Sequence, residues 1–225
     1  GILMQFTNDE LCGADIFEIK DETYNYLIKA RRHKIDDEIY FRNLKDENLY
    51  LYKINFIDKK RAILNLVSSQ NKVLLNDKKL HLGWCIIDPK IIEKYIASLN
   101  EMGIEKITFI YAEYSQKNFK INIEKLEKIL INSSSQCGRS NIMKLEICKN
   151  LEQFLRENSD TYFLDFSTVC IDNKKDEIKT LVIGCEGGFS KNERKKFDDN
   201  FIVGFNSNLI LRSETAIIAA SSKII

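Results

Sequence analysis

The stretch Thr180-Leu181-Val182-Ile183-Gly184-Cys185-Glu186-Gly187-Gly188-Phe189 decides the fold. Its opening apolar run reads as a buried strand that empties into glycines, where a backbone can approach a ligand closely. Ser190-Lys191-Asn192-Glu193 then spells a capping box, so the loop leads directly into a helix. A strand, a glycine loop and a helix N-terminus in series hold polar ligands on backbone N–H groups. The spacing of Gly184, Gly187 and Gly188 matches neither the dinucleotide nor the P-loop fingerprint. Tight sterics at a strand-to-helix turn would select the same glycines, and the local pattern leaves both readings open.

Further on, Leu209-Ile210-Leu211-Arg212-Ser213-Glu214-Thr215-Ala216 places an arginine and a glutamate at the exit of a second apolar strand, ahead of a small-residue helix. Strand ends that carry glycines, carboxylates and an arginine suit a nucleotide-type cofactor in an α/β domain. Taken alone, the segment also reads as a simple helix start. Ser213 or Thr215 would be its cap, with Glu214 in the first turn and Arg212 paired with Glu214 at the surface. Ala216, Ala219 and Ala220 with Ser221 and Ser222 permit close helix packing, at a subunit interface or a tightly threaded chain end.

Outward from these segments, the pattern from Leu80 onward alternates. Strands are expected at 81–87, 107–111, 161–166 and 181–184. Helices are expected at 90–102, opened by Pro89 and stopped by Gly103, and at 124–132. That alternation predicts βαβ units and a largely parallel sheet. Residues 4–70 read mostly as β instead, with strands at 38–44, 48–57 and 60–69 and one helix at 22–32. The expected architecture is a small β-barrel or meander followed by an α/β domain, with the boundary in the polar segment 68–79.

The 225 residues suffice for one large domain or two small ones. With 44% hydrophobic and 30% charged residues, the composition is that of a soluble globular protein. No apolar run approaches the ~20 residues of a membrane span, and no basic-then-apolar leader opens the chain. Gly1-Ile2-Leu3 reads as a cloning remnant, with the natural start at Met4. The six cysteines include no CxxC pair, and only two histidines accompany them. Neither zinc nor any other metal is expected, and free thiols in a reducing cytoplasm are.

A net charge of +1 provides no global field for nucleic acid, so RNA contact requires a local patch. Lys29-Ala30-Arg31-Arg32-His33-Lys34 is the candidate, although Asp36-Asp37-Glu38 offsets much of its charge. In Ser133-Ser134-Ser135-Gln136-Cys137-Gly138-Arg139-Ser140, Gly138 reads as a helix stop and Arg139 as a solvated charge. Cys137 has no histidine nearby in sequence to make it a nucleophile.

Together these segments resemble the ribosomal RNA small-subunit methyltransferase E family of the SPOUT class. The family pattern I-G-P-E-G-G-F matches Ile183 to Phe189, with Cys185 for proline. I-L-R-T-E-T-A matches Ile210 to Ala216, with Ser213 for threonine, and E-Q-[SC]-G-R matches Ser135 to Arg139, with Ser135 for glutamate. H-x-L-R-V-L-R-x-x-x-G-D-E-I runs over Tyr26 to Ile39, where Arg32, Asp37, Glu38 and Ile39 fit, Lys29 stands for arginine and Tyr26 for histidine. Ala112-Glu113-Tyr114-Ser115 follows the S-E-R-S region, and Glu101-Met102-Gly103-Ile104 follows E-L-G-[IV]. Three departures stand out: Cys185 lacks the fixed φ of proline, Asn206-Ser207 replaces L-G, and Asp88-Pro89-Lys90 is a shorter turn.

The resemblance implies a PUA-like RNA-binding barrel over 1–72 and a SPOUT methyltransferase domain over 73–225, with a deep trefoil knot at about 160–225. It implies S-adenosylmethionine held by Leu164, Asp165, Ile183, Gly184, Glu186, Gly187, Gly188, Leu209, Ile210, Leu211, Thr215 and Ala216. It further implies a homodimer packed through the knot, and methylation of uridine N3 in 16S rRNA of the small ribosomal subunit. The catalytic candidates are Arg212, then Arg139, to stabilise the uracil anion, with Glu214 or Glu186 as proton acceptor or arginine partner. RNA contact is expected from Lys29, Arg31, Arg32, Lys34 and Arg139. Two rivals from other classes remain, an inactive knotted ribosome-assembly scaffold and a nicotinamide-dependent oxidoreductase. The second would need Asp198 or Asp199 as its ribose carboxylate, and these sit in a charged helix tail and not at a strand end. Within the class, a methyltransferase with another RNA target is the alternative.

Overall fold

The computed structural model describes residues 5–225; Gly1 to Met4, and with them the reading of a start at Met4, lie outside the described residues. The chain divides into two compact units. The first comprises residues up to Leu75 together with Ile131–Ile142, the second Asn76–Leu130 with Met143–Ile225.

In the first unit, strands β1 (Thr7–Asn8), β2 (Ile16–Lys20), β3 (Glu38–Arg42), β4 (Asn48–Ile57) and β5 (Arg61–Asn71) form one sheet in the order β1-β3-β4-β5-β2. β1 runs parallel to β3 and the other pairs are antiparallel. The β4–β5 register shifts at Leu51/Tyr52 and at Ile54/Phe56, and bulges of this kind increase twist and bend a strand. Alternation delivers the core: the rings of Phe17, Phe41 and Tyr52 meet at 5.4, 5.3 and 5.6 Å. The buried Tyr52 hydroxyl donates to Ala14 O at 2.7 Å and accepts from Gly13 N at 2.8 Å. The helix expected at 22–32 divides into α1 (Asp21–Tyr24) and a π-helical turn, Asn25–Ala30. The Tyr24 hydroxyl anchors it by donating to Asp58 O at 2.6 Å. Asp36, where the family pattern carries glycine, takes φ +73°, a left-handed conformation that aspartate tolerates better than most residues.

The second unit is a six-stranded sheet with every pair parallel. Its strands are β6 (His81–Cys85), β7 (Lys106–Ile110), β8 (Lys144–Cys148), β9 (Tyr162–Leu164), β10 (Thr180–Ile183) and β11 (Ile202–Val203). They are joined by helices α2 (Pro89–Glu101), α3 (Ile123–Cys137), α4 (Leu151–Glu157), α5 (Lys191–Arg194) and α6 (Ser213–Ile224). The order is β11-β9-β10-β6-β7-β8. The chain lays β6, β7 and β8 outward, crosses back to place β9 on the far side, and inserts β10 between β9 and β6. Pro89 opens α2 behind Asp88, whose Oδ1 accepts from Lys90 N at 2.9 Å, and Gly103 leaves it at φ +88°.

Three sequence expectations change. Residues 209–211 are not a strand: β11 is only Ile202–Val203, and Leu209 and Ile210 stand 77% and 83% exposed in an irregular loop. Apolar composition marked a strand there, but no neighbouring strand offers a ladder. α3 continues past residue 132 through Ser133, Ser134 and Ser135 to Cys137, and Ser135 Oγ donates to Ile131 O at 3.0 Å, the i−4 bond by which a serine inside a helix satisfies its hydroxyl. Gly138 then follows at φ +87°. The edge strand β8 and helix α4 went unread, although Lys144–Cys148 alternates polar and apolar residues; as an edge strand it is exposed at most of its positions.

His81 on β6 gives this unit a pH dependence. Its Nε2 lies 2.7 Å from Thr108 Oγ1 and its ring packs on Phe154. Burial first, and then Lys106, lower its pKa to about 4 from the ordinary 6.5. The unfolded chain therefore binds the extra proton between those values, so this contribution is complete above pH 6.5 and is lost as pH falls toward 4. Allowing for partial solvent screening, the unfolding free energy should fall by about 1 kcal/mol between pH 7 and pH 5. Urea titrations at the two pH values measure it. His81→Gln should flatten that segment of the profile, and an unchanged slope in the variant would refute the assignment.

Candidate active site

The carboxyl ends of β9, β10 and β11 open onto a cavity of about 620 Å³, a size that suits a small-molecule ligand. Three loops wall it: residues 164–167 after β9, 183–189 after β10, and 204–213 after β11 excepting 206 and 208, with Arg194 and Ala216 completing it. Insertion of β10 between β9 and β6 brings these loops together, and open parallel sheets bind ligands at such strand ends.

The glycine loop is a tight turn. Gly188 N donates to Cys185 O at 2.9 Å, and Gly187 and Gly188 take φ +82° and +72°, values that exclude most side chains. Cys185, in the position of the pattern's proline, is held by burial, which pushes its thiol up and keeps it protonated. The capping box forms as read: Ser190 Oγ accepts from Glu193 N, and Glu193 Oε1 accepts from Ser190 N, both at 3.0 Å. α5 is a single turn, and its cap satisfies one of its first donors, so the glycine turn itself forms the wall of the cavity. Beneath it Phe189 packs edge-on against Phe197 at 4.9 Å and Phe163 at 6.1 Å.

Gly204 is a constraint that the sequence reading missed. A Cβ there would lie 2.8 Å from Asp165 O and 3.1 Å from Ser167 N, so the β9 and β11 loops touch only because this residue has no side chain. A lone glycine after two apolar residues was the only signal. Ser213 closes the other side. It caps nothing; its Oγ donates to Gly184 O at 2.7 Å and accepts from Trp84 Nε1 at 2.9 Å.

The charged groups sort by their partners. Asp165 is held by Arg194, whose Nε and Nη2 donate to its two oxygens at 2.8 and 3.1 Å; this bond raises the arginine's pKa. Arg212 also lines the cavity, is exposed, and makes no ion pair or side-chain hydrogen bond among the described residues. The surface pair Arg212–Glu214 does not form: Glu214 is buried in the first turn of α6, outside the cavity wall. Glu186 is exposed and lines the cavity. Of the expected cofactor set, Leu164, Asp165, Ile183, Gly184, Glu186, Gly187, Gly188, Leu209, Ile210, Leu211 and Ala216 are in the wall. Thr215 is exposed and is not, because helical periodicity turns Ser213, Glu214 and Ala216 inward and leaves Thr215 facing out. Among the described residues, no cluster of three or more His, Cys, Asp or Glu is placed to hold a metal.

Arg139 belongs to the first unit and is buried, not solvated, with Nε donating to Asn141 Oδ1 at 2.8 Å. In the same unit Lys29, Arg31, Arg32 and Lys34 are all exposed and make no ion pair within 4.0 Å among the described residues. Of the acids that follow them, Asp37 stays with the patch: it accepts from Lys34 N and contacts His33 Nδ1, contacts that hold its carboxyl below the usual range, whereas Glu38 lies 3.9 Å from Lys53 and Asp36 is exposed. Of the three acids, Glu38 alone is drawn to a cation outside the patch among the described residues.

This geometry has relatives. Residues 75–225 match an RNA methyltransferase domain and residues 19–67 an RNA methyltransferase PUA domain. Over 222 residues, 97% of this chain and 98% of the relative, it is 38% identical to ribosomal RNA small subunit methyltransferase E of Helicobacter pylori. A Legionella pneumophila methyltransferase solved with S-adenosylmethionine bound superposes with TM-score 0.80 at 26% identity, covering 99% of this chain and 96% of the other. The fold is also that of the Neisseria gonorrhoeae ribosomal RNA small subunit methyltransferase E, with TM-score 0.76 at 14% identity over 97% and 95% of the two chains. A PUA domain, a parallel sheet walled by glycine turns and this near-complete overlap lead to one assignment: the chain belongs to the ribosomal RNA small subunit methyltransferase E family.

Proposed function

We propose that this protein transfers the methyl group of S-adenosylmethionine to N3 of one uridine in the 16S rRNA of the small ribosomal subunit. The observation that carries the reading is the cavity wall itself. It holds two arginines, of which Arg194 is committed to Asp165 and Arg212 is free. The cofactor fits the residues present. Leu164, Ile183, Leu209, Ile210 and Leu211 offer an apolar wall for a nucleoside, and Gly187, Gly188 and Gly204 keep side chains out of its space.

When bound, S-adenosylmethionine supplies an electrophilic methyl group on a sulfonium; the protein's task is the nucleophile. Uracil N3 keeps its proton to about two pKa units above neutrality, so baring the nitrogen costs about 3 kcal/mol at pH 7. The Arg212 guanidinium stabilises the anion at a uracil carbonyl oxygen, in the manner of an oxyanion site. Glu186, exposed in the same wall, accepts the proton in preference to buried Glu214. Arg139 is the second candidate for the stabilising charge, and Lys29, Arg31, Arg32 and Lys34 engage RNA phosphates.

The same reading assigns RNA binding to residues 1–72 and the methyltransferase domain to 73–225, with a deep trefoil knot over about 160–225 and a homodimer packed through it in the cytoplasm. Two features support knot and dimer. α6 is drawn against the glycine loop by the Ser213 bonds, after a long irregular segment. Leu209 and Ile210 are nearly fully exposed, apolar surface that a second copy would cover.

Labelled methyl transfer to small subunits lacking the modification, with free 16S rRNA alongside, is the direct test; label should map to N3 of a single uridine. Cofactor binding without transfer to either would point to another RNA, and no cofactor binding would leave an inactive assembly scaffold. Arg212→Ala should lower kcat by about 10²-fold with little change in S-adenosylmethionine affinity, and equal losses would refute its role. Gly204→Ala should instead weaken cofactor affinity by about tenfold or more, read by calorimetry, since its Cβ pushes the β9 and β11 loops apart; unchanged affinity would show that their contact does not shape the site.

A further inference from the structure

Tyr114 sits where the family's S-E-R-S pattern has arginine, and the sequence reading gave it no role. We infer that Tyr114 is a positioning residue for substrate, its ring the platform on which the target base stacks beside the cavity. The inference rests on the methyltransferase reading above.

The ring is presented by a rigid loop. Ser115 N donates to Ala112 O at 3.0 Å, Ala112 N donates to Ser115 Oγ at 3.2 Å, and both residues are buried. Glu113 N donates to Glu193 Oε2 at 3.3 Å, and the other oxygen of that buried carboxylate closes the capping box behind the glycine turn. One carboxylate therefore fixes the loop after β7 to the loop after β10. Between these anchors the Tyr114 side chain is 53% exposed. It lies beside Gly187, where an added Cβ would come 3.5 Å from its Cδ2. Gly187 lines the cavity, and its lack of a side chain keeps the space beside the ring open.

A large ring held by its backbone and half bare to solvent, next to a cavity that takes the methyl donor, has the form of a stacking platform. Enzymes that modify a base take it out of its stack, and an aromatic face replaces part of the stacking lost. The chemistry required of the partner is an unpaired pyrimidine. The hydroxyl makes no hydrogen bond among the described residues, so the protein holds the ring through its backbone, and the phenylalanine variant separates ring from hydroxyl.

The test uses the full chain and small ribosomal subunits lacking the modification. Tyr114→Ala should raise KM for subunits about 5- to 150-fold. Its kcat should stay within about threefold, and its S-adenosylmethionine affinity should not change. Tyr114→Phe should restore wild-type KM. Filter binding of subunits to both variants reads the same contact without catalysis, so a wild-type chain that binds subunits but transfers no methyl would fail the enzymatic reading while the ratio of affinities still judged Tyr114. A wild-type KM and affinity in Tyr114→Ala would overturn the inference. So would failure of phenylalanine to rescue, or a matching loss of cofactor affinity, which would make Tyr114 merely structural.

Discussion

The site depends on one hydroxyl. Ser213 Oγ accepts a hydrogen bond from the Trp84 indole N–H on β6 and donates one to the Gly184 carbonyl at the end of β10, and it is the first residue of α6. Three elements far apart in sequence are thereby held within one hydrogen-bonded group in a buried environment, where an unmade bond is costly. The position of Arg212 follows, because it is the residue immediately before Ser213. A residue that reads locally as a helix cap serves instead as the clamp that sets the catalytic candidate against the cavity.

The charge pattern has the same origin. A parallel sheet delivers loops, not side chains, to its carboxyl edge, and here the insertion of β10 brings the loops of β9, β10 and β11 around one space. Asp165 from the first loop neutralises Arg194 beyond the second. That pairing leaves Arg212 as the cation of the wall without an ion pair among the described residues, and separates two guanidinium groups that sequence alone does not distinguish. Gly204 is the counterpart in sterics, a backbone contact that any side chain would break. In the first unit, Glu38 turns to Lys53 while Asp37 stays bonded to His33 and to the backbone of Lys34, so the acids still offset part of the charge of a segment whose Lys29, Arg31, Arg32 and Lys34 are exposed.

Local patterns were legible where the physics is local. The alternation of β4 and β5, the Pro89 start and Gly103 stop of α2, the capping box at Ser190–Glu193 and the strand before Gly184 all follow from propensity, periodicity and capping over a few residues. Reading failed where composition and ladder disagreed. Leu209-Ile210-Leu211 has the residues of a strand and no strand beside it, and β8 has a ladder but only a five-residue alternation, most of it exposed at the edge of its sheet.

The sequence by itself determined the two-part β then α/β order, the glycine turn, the basic patch and the identity of most residues around the cavity. The first three are written in neighbours along the chain, through φ restrictions, side-chain period and charge, and the cavity residues follow from the resemblance of the motifs to a family. Only the tertiary structure decided that Arg194 is spent on Asp165, that Thr215 faces out while Ala216 faces in, that Arg139 is buried, and that Gly204 and Ser213 hold the walls together. Those outcomes depend on which strands become neighbours, and hydrogen bonds and steric contacts between residues tens of positions apart exist only once β10 has taken its place between β9 and β6.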